Sequence, residues 1–327
     1  MNFLFITDPL GGFNLDKDSS LAMMREAQVR GHVVWACGTP DLHWQSGQSV
    51  SASMQRLRLK ENTKDWYAAE ETRDQALSQM DAVIMRKDPP FDSEYFYATH
   101  LLSQAEREGA RVFNHPNALR EHPEKLALME FAQWTTPTLV SRSSQAIRAF
   151  HAQHQDIILK PLDGMGGMGI FRVRADGMNL GSIIETLNQD GNTSVMVQKF
   201  VPAIAQGDKR VLVIGGKPVP YALARIPQGN EVRGNLAVGG KGVAQELSPR
   251  DQEIAQALGP VLVARGLLLV GLDIIGDCLT EVNVTSPTCF REITDQTGFD
   301  VAAMFMNALE QALSHAAVAR MHAAPTR

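Results

Sequence analysis

The chain has 327 residues, enough for about two domains with their own cores. It is 44% hydrophobic and 20% charged, an ordinary globular balance that excludes disordered, collagen-like and coiled-coil classes. The formal net charge of -5 argues against nonspecific nucleic-acid binding, so any basic site must be local.

The first apolar run, Phe3–Thr7, reads as a strand that stops at Asp8-Pro9. With no basic residues before it, it is not a signal peptide. Ser19–Arg30 has helical spacing and ends at Gly31, a residue suited to a helix C-terminus. Strands follow at Val33–Cys37 and Ala82–Met85, then a helix at Ser93–Glu108 and a strand at Arg111–Asn114. Between residues 38 and 80 the pattern is weak, and Thr63–Gln79 reads as helical. Alternating strands and helices imply a parallel sheet with helices on its faces.

Pro116 and Pro123 mark a boundary, which places an N-terminal α/β domain at residues 1–122. Helices are expected at Glu124–Ala132 and Ser144–His154. The texture then changes to hairpin-like strands: Ile157–Lys160 with Ile170–Val173, then Val195–Phe200, and Arg210–Ile214 with Val219–Ile226 around the turn Gly215-Gly216-Lys217. A helix at Pro249–Arg265 precedes a last hairpin, Leu268–Ile275 with Leu279–Val284, and a final helix from about Phe299 to Ser314 or beyond. This α+β region spans 123–315, and 316–327 reads as a frayed tail. The longest apolar stretch, Leu267–Ile275, is too short to span a membrane. The three cysteines, Cys37, Cys278 and Cys289, form no CxxC pair, which excludes a disulfide framework and fits a reducing cytoplasm.

Three groups of residues carry chemical signal. In Lys160-Pro161-Leu162-Asp163-Gly164-Met165-Gly166-Gly167-Met168-Gly169 the glycines formally match GxGxxG. A dinucleotide fingerprint must open a helix, however, and Ile170–Val173 reads as a strand. Two readings stay open: a glycine-rich hairpin whose backbone N–H groups and Lys160 meet phosphate oxygens, or a flexible tip. In the last hairpin, strand parity puts Asp273, Glu281 and Asn283 on one face and Leu272, Ile274, Val282 and Val284 on the other. A three-residue turn, Gly276-Asp277-Cys278, would set Asp273 opposite Glu281, and a two-residue turn would not. Two carboxylates and an amide oxygen suit Mg²⁺, or form the outer face of a half-exposed strand pair. Ile226–Gly242 holds five glycines and reads as a long mobile loop, with Arg225 at its base and Arg233 within it placed to meet an anion on closure. Asp208-Lys209-Arg210 reads alone as a surface charge cluster. No GxSxG, HExxH or GxxxxGK[ST] pattern occurs, so serine-esterase, zincin and P-loop chemistries lack support.

Taken together, Met85–Asp92, Leu159–Gly167, Gly207–Arg210, Ala224–Gly229, Arg233–Ala237 and Glu281–Thr288 resemble bacterial glutathione synthetase, in order and at natural spacing from the first strand to about residue 314. The resemblance implies an α/β N-terminal domain followed by α+β ATP-grasp subdomains that hold ATP between two antiparallel sheets. It implies ligation of γ-glutamylcysteine to glycine with release of ADP and phosphate. Residue by residue, it puts Lys125 and Lys160 on ATP phosphates and Gly164, Gly166 and Gly167 in a phosphate-covering loop. It puts Gln198, Lys199, Phe200 and Val201 around the adenine and Asp208 on the ribose. Asp273, Glu281 and Asn283 would hold Mg²⁺, with Mn²⁺ the alternative ion. Arg210 and Arg225 would be catalytic. Arg225, Arg233, Asn283, Ser286 and Thr288 would be near the peptide substrate. A cytoplasmic homo-oligomer, dimer or tetramer, is implied, with no nucleic-acid or membrane partner.

The chemistry agrees. A carboxylate is a poor electrophile until phosphorylated, and phosphoryl transfer is chiefly positioning and charge neutralisation. Other readings are a related ATP-grasp ligase with different acceptors, and a non-catalytic nucleotide-binding regulator. An intact Asp273, Glu281 and Asn283 set argues against the regulator.

Overall fold

The computed structural model describes residues 1–61, 65–229 and 231–323, with 315–323 described by their backbone alone. The N-terminal part contains β1 (Asn2–Ile6), α1 (Ser19–Val29), β2 (Val33–Cys37), β3 (Leu42–His43), β4 (Ser51–Leu59), β5 (Tyr67–Ala76), β6 (Ala82–Met85), α2 (Ser93–Arg107), β7 (Val112–Phe113) and α3 (Pro116–Glu121). Its sheet runs β3-β4-β2-β1-β6-β7, with β5 added on β4. The pairs β1–β2, β1–β6 and β6–β7 are parallel, as the alternating pattern predicts. β4 and its partners are antiparallel, an extension that the pattern does not announce.

The helix expected over Thr63–Gln79 is corrected here: residues 67–76 form strand β5, and Leu77–Gln79 a single 3-10 turn. Thr63 and Lys64 lie outside the described residues. The sequence YAAEETRDQA is rich in helix formers and buries little, so propensity points the wrong way. Pairing with β4 along its whole length decides the conformation.

The rest of the chain builds two further sheets. A 3-10 helix at Leu126–Trp134, kinked at Phe131, stands where an α-helix is expected. Then come β8 (Thr138–Ser141), α4 (Ser144–His154), β9 (Ile157–Pro161), β10 (Phe171–Val173), α5 (Leu180–Asn188) and β11 (Val195–Lys199). These strands form a four-stranded sheet, β10-β9-β11-β8. One face packs Ile157, Leu159, Val195 and Val197 against Ile147 of α4 and Leu180 and Ile184 of α5.

β12 (Asp208–Ile214), β13 (Lys217–Ile226), β14 (Lys241–Glu246), α6 (Pro249–Ala264), β15 (Leu269–Ile275) and β16 (Cys278–Asn283) follow. Their strands form an antiparallel sheet, β14-β13-β12-β15-β16. α6 starts with Ser248 as N-cap, Pro249 in the first turn and Asp251 closing a capping box. α7 (Phe290–Thr297), which the sequence reading missed, and α8 (Val301–Ala323) complete the chain. The final helix does run beyond Ser314, as far as Ala323, into the segment expected to fray, and 324–327 lie outside the described residues.

The hydrophobic core is shared between the halves. Leu4, Ile6 and Val83 belong to one cluster with Val270, Leu272 and Val282, and Phe3 and Phe5 to another with Phe290 and Phe305. Among the described residues, no helix is long and apolar enough to cross a membrane.

Candidate active site

A cavity of about 340 Å³ lies between the four-stranded and five-stranded sheets, and every site residue named from the sequence lines it. Strand parity explains the five-stranded wall. Arg210 pairs in register with Asp273, Asp208 with Arg225, and Asp273 with Glu281, so charged residues at alternate positions share one face. The residues between them, Val211, Leu272, Ile274 and Val282, point into the core.

The hairpin of β15 and β16 does set Asp273 opposite Glu281, but by a different device from the expected three-residue turn. The turn is the two-residue Gly276-Asp277, with Ile275 paired to Cys278, and a β-bulge at Thr280 supplies the extra residue. The bulge lets Leu279 and Val282 both enter the core while Glu281 faces the cavity. It also frees the Thr280 carbonyl, which accepts from Lys160 Nζ at 3.2 Å.

Arg210, expected in a surface cluster, is buried. Its guanidinium grips Asp273, Nε to Oδ1 at 2.5 Å and NH2 to Oδ2 at 3.1 Å. Gly271 makes room for it, since a Cβ there would lie 2.8 Å from Arg210 Cδ. Arg225 NH2 reaches Asp208 Oδ2 at 2.5 Å and Asp273 Oδ2 at 2.9 Å. Lys209, on the opposite face, donates to the fully buried Asp251 of α6 at 2.5 Å and anchors that helix.

On the other wall, Lys160 stands on β9, and Gln198 on β11 donates to Thr138 Oγ1 at 3.0 Å. Lys199, Phe200 and Val201 follow along the rim, with Arg172 stacked 3.5 Å over the Phe200 ring. Lys125 bridges the walls, donating to the Gly164 carbonyl at 2.6 Å and lying 3.0 Å from Glu281 Oε1. The two glycine-rich segments meet over the cavity: Arg233 NH1 donates to the Gly167 carbonyl at 3.3 Å. Gly167 has φ +85°, and a Cβ there would lie 2.7 Å from Asn235 Oδ1. Residues 232–237 of the loop between β13 and β14 thus line the cavity wall, and a short 3-10 turn stands at Leu236–Val238.

Burial and charge set the ionisation of these groups. Burial alone would raise the Asp273 carboxyl, but Arg210 and Arg225 hold it well below the usual carboxylate range. Burial pushes Asp208 up to about 6 against the pull of Arg225. Burial lowers Lys160, with Glu281 opposing. Burial and the charge of Glu281 raise Glu124, and the Thr285 and Val284 backbone N–H groups oppose them. Burial also raises the Cys289 thiol at the cavity edge.

The donor set for a divalent ion consists of hard oxygens, which suits Mg²⁺. Asn283 uses its Nδ2 on the Gly271 carbonyl at 3.2 Å, which keeps Oδ1 available. One Glu281 oxygen faces Lys125, whereas both Asp273 oxygens are engaged by arginines. Among the described residues no three His, Cys, Asp or Glu side chains converge on one point, so Asn283 is needed to complete the set.

The family model for the prokaryotic glutathione synthetase N-terminal domain matches residues 1–120, and the model for the ATP-grasp domain of the same family matches 124–298. The chain belongs to the prokaryotic glutathione synthetase family. The glutathione synthetase of Ralstonia nicotianae is 60% identical over 316 residues, 97% of each chain. That of Bordetella parapertussis is 55% identical over 317 residues, 95% of this chain and 99% of its own. Among solved structures, D-cycloserine synthetase DcsG superposes with a TM-score of 0.67 at 16% identity, over 95% of this chain and 99% of its own. The ATP-grasp ligase PsnB, complexed with a precursor variant, Mg and ADP, gives 0.61 at 21% identity, over 96% and 98%. The fold is ATP-grasp, and the chain is a ligase of the glutathione synthetase family.

The sequence reading missed two residues of this glutathione synthetase site. Asp88 lines the cavity and accepts a hydrogen bond from the Ser286 hydroxyl. Glu124 lines it beside Lys125. Asp88 lies inside a quoted motif but shows no pairing signal, because its partner is 198 residues away. Glu124 was overshadowed by the neighbouring lysine.

Proposed function

We propose that this cavity joins γ-L-glutamyl-L-cysteine to glycine at the expense of ATP, through an acyl phosphate, giving glutathione, ADP and phosphate. The observation that carries the reading is the facing arrangement of Lys125, Lys160, Arg210 and Arg225 with Asp273, Glu281 and Asn283 beneath two touching glycine-rich loops. Phosphoryl transfer needs positioning and neutralised charge, and these are the groups that provide them.

In this reading Lys125 and Lys160 hold the phosphates, while Gly164, Gly166 and Gly167 cover them. Gln198 to Val201 border the base, and Asp208 meets the ribose. Glu281 and Asn283 hold Mg²⁺, or Mn²⁺, and Asp273 joins them by sharing its carboxylate with the arginines. Held by these residues, the ion would supply positive charge against the negative charge of the phosphates. Arg210 and Arg225 neutralise the transferring phosphoryl group and the later oxyanion. Arg225, Arg233, Asn283, Ser286 and Thr288 orient the peptide. The loop contact between Arg233 and Gly167 excludes the water that would hydrolyse the acyl phosphate.

The chain divides into an α/β domain at 1–122, an ATP-grasp domain at 123–315 and a tail at 316–327. The enzyme works in the cytoplasm as a homo-oligomer, dimer or tetramer, without nucleic-acid or membrane partners. The deciding assay is ADP release over an acceptor panel of glycine, D-alanine and glutamate, with and without γ-glutamylcysteine, and mass detection of product. Turnover requiring γ-glutamylcysteine and glycine together supports the reading. ADP release with D-alanine or glutamate but none with γ-glutamylcysteine points to a related ligase.

A further inference from the structure

Beyond Asn283, the last residue of β16, the chain runs along the cavity, carrying Ser286 and Thr288. β16 ends at Asn283, so the next backbone N–H groups have no strand partner and need another acceptor. Glu124 meets that need. Its Oε1 accepts from the N–H of Val284 at 3.0 Å, the N–H of Thr285 at 3.1 Å and the Thr285 hydroxyl at 2.8 Å. Its backbone carbonyl accepts from the Val282 N–H at 3.0 Å. One residue thus fixes both ends of the turn out of β16. Asn114 Nδ2 and Arg86 NH2 hold the carbonyls of Val284 and Pro287, at 2.8 and 3.0 Å.

We infer that Glu124 is a positioning residue for the peptide substrate: by gripping Val284 and Thr285 it sets where Ser286 and Thr288, farther along the chain, stand against γ-glutamylcysteine. This rests on the reading that those two residues face that substrate. Glu124 is the first residue matched by the ATP-grasp family model, at the junction with the N-terminal half. The placement of the peptide site is therefore tied to the link between the two halves. Without the grip, the segment must be ordered anew each time the peptide binds, and the cost appears in peptide affinity.

The test measures KM for γ-glutamylcysteine, KM for ATP, kcat and thermal unfolding in Glu124→Ala, Glu124→Gln and Thr285→Val. A carboxylate holding several donors predicts that Glu124→Ala raises the peptide KM by about 10–100-fold, with KM for ATP moving by less than about twofold, a change too small to register as a lost contact. Glutamine keeps an oxygen that accepts the same three bonds, so it should restore the peptide KM to within about threefold, the loss of charge assistance alone. Thr285→Val, which removes one of the three bonds, should raise the peptide KM by about threefold or more. A purely structural role would lower the unfolding temperature and leave the peptide KM in place, and that result overturns the proposal. So does an equal rise in both KM values, or no rescue by glutamine. If Glu124→Ala does not fold, an unchanged peptide KM in Thr285→Val overturns it. Ser286→Ala and Thr288→Val separate the two levels. If they leave the peptide KM unchanged, the substrate-site reading fails; if they raise it and Glu124→Ala does not, only the role of Glu124 fails.

Discussion

Asp273→Asn tests whether the cavity wall stands by its own ion pairs before any ligand arrives. Asp273 is 2% exposed, and its carboxylate takes three contacts from two guanidiniums at 2.5, 3.1 and 2.9 Å. Asparagine keeps one acceptor oxygen and turns an NH₂ group toward a guanidinium, donor against donor. It also leaves two buried cations with one fewer neutralising charge. Breaking a buried pair on one side costs about 3–5 kcal/mol. At about 2–4 °C per kcal/mol for a unit of 150–250 residues, the melting temperature should fall by about 6–20 °C. The assay is calorimetry of the protein without nucleotide or metal. A fall of less than about 2 °C, under what 1 kcal/mol would produce, would refute the reasoning. It would mean that Asp273 acts on ligands alone. The pH dependence has a definite sign. Arginine holds this carboxyl below its ordinary range, so its stabilisation is complete above the unfolded value and is lost as pH falls through the depressed one. The gap between wild type and variant should therefore stay constant above about pH 7, change as Asp208 titrates near 6 because the Asp273 charge helps to raise that group, and close only in stronger acid.

Three further outcomes are expected. Glu281→Gln should lower kcat by about 10²–10³ and cost less stability than Asp273→Asn, because the residue sits on the cavity face of its strand and faces one lysine, Lys125, rather than two arginines; near-normal turnover would remove it from the metal site. Gly167→Ala should slow turnover by tenfold or more, about 1.4 kcal/mol or more, and cost about 1–2 kcal/mol of stability for a side chain at φ +85°, since the new methyl group collides with Asn235 where the loops meet; unaltered kinetics would show that this contact is not needed. In the ligand-free protein Asp208 should titrate near 6, as read by carboxyl ¹³C NMR. A raised value means the fold binds that proton more tightly than the unfolded chain, so this group's contribution falls as pH rises from the ordinary carboxylate range through about 6; a midpoint near 4, the unperturbed value, would contradict the burial.

Much of this site was readable in advance because its signals are local. Glycines flanked by a lysine, and polar residues alternating with apolar ones along β15 and β16, need no distant information. The antiparallel β4–β5 extension was not readable: β5 buries little and owes its shape to a partner strand rather than to its own residues. The Asp208-Lys209-Arg210 run misled for the opposite reason. Its charges look like surface because their partners, Arg225, Asp251 and Asp273, lie on other elements, and only pairing across the sheet buries them. Glu124 shows the same limit, since its donors are 160 and 161 residues away.

The extra residue at Thr280 has a bearing on how this hairpin tolerates length changes. Removing Thr280 would turn the bulge into regular pairing, with Ile274 still opposite Leu279 and Asp273 still opposite Glu281, and would take away the carbonyl that accepts from Lys160. Point replacements at Thr280 keep that backbone acceptor and its deletion does not, so the extra residue serves the lysine on the opposite wall rather than the facing of the two carboxylates.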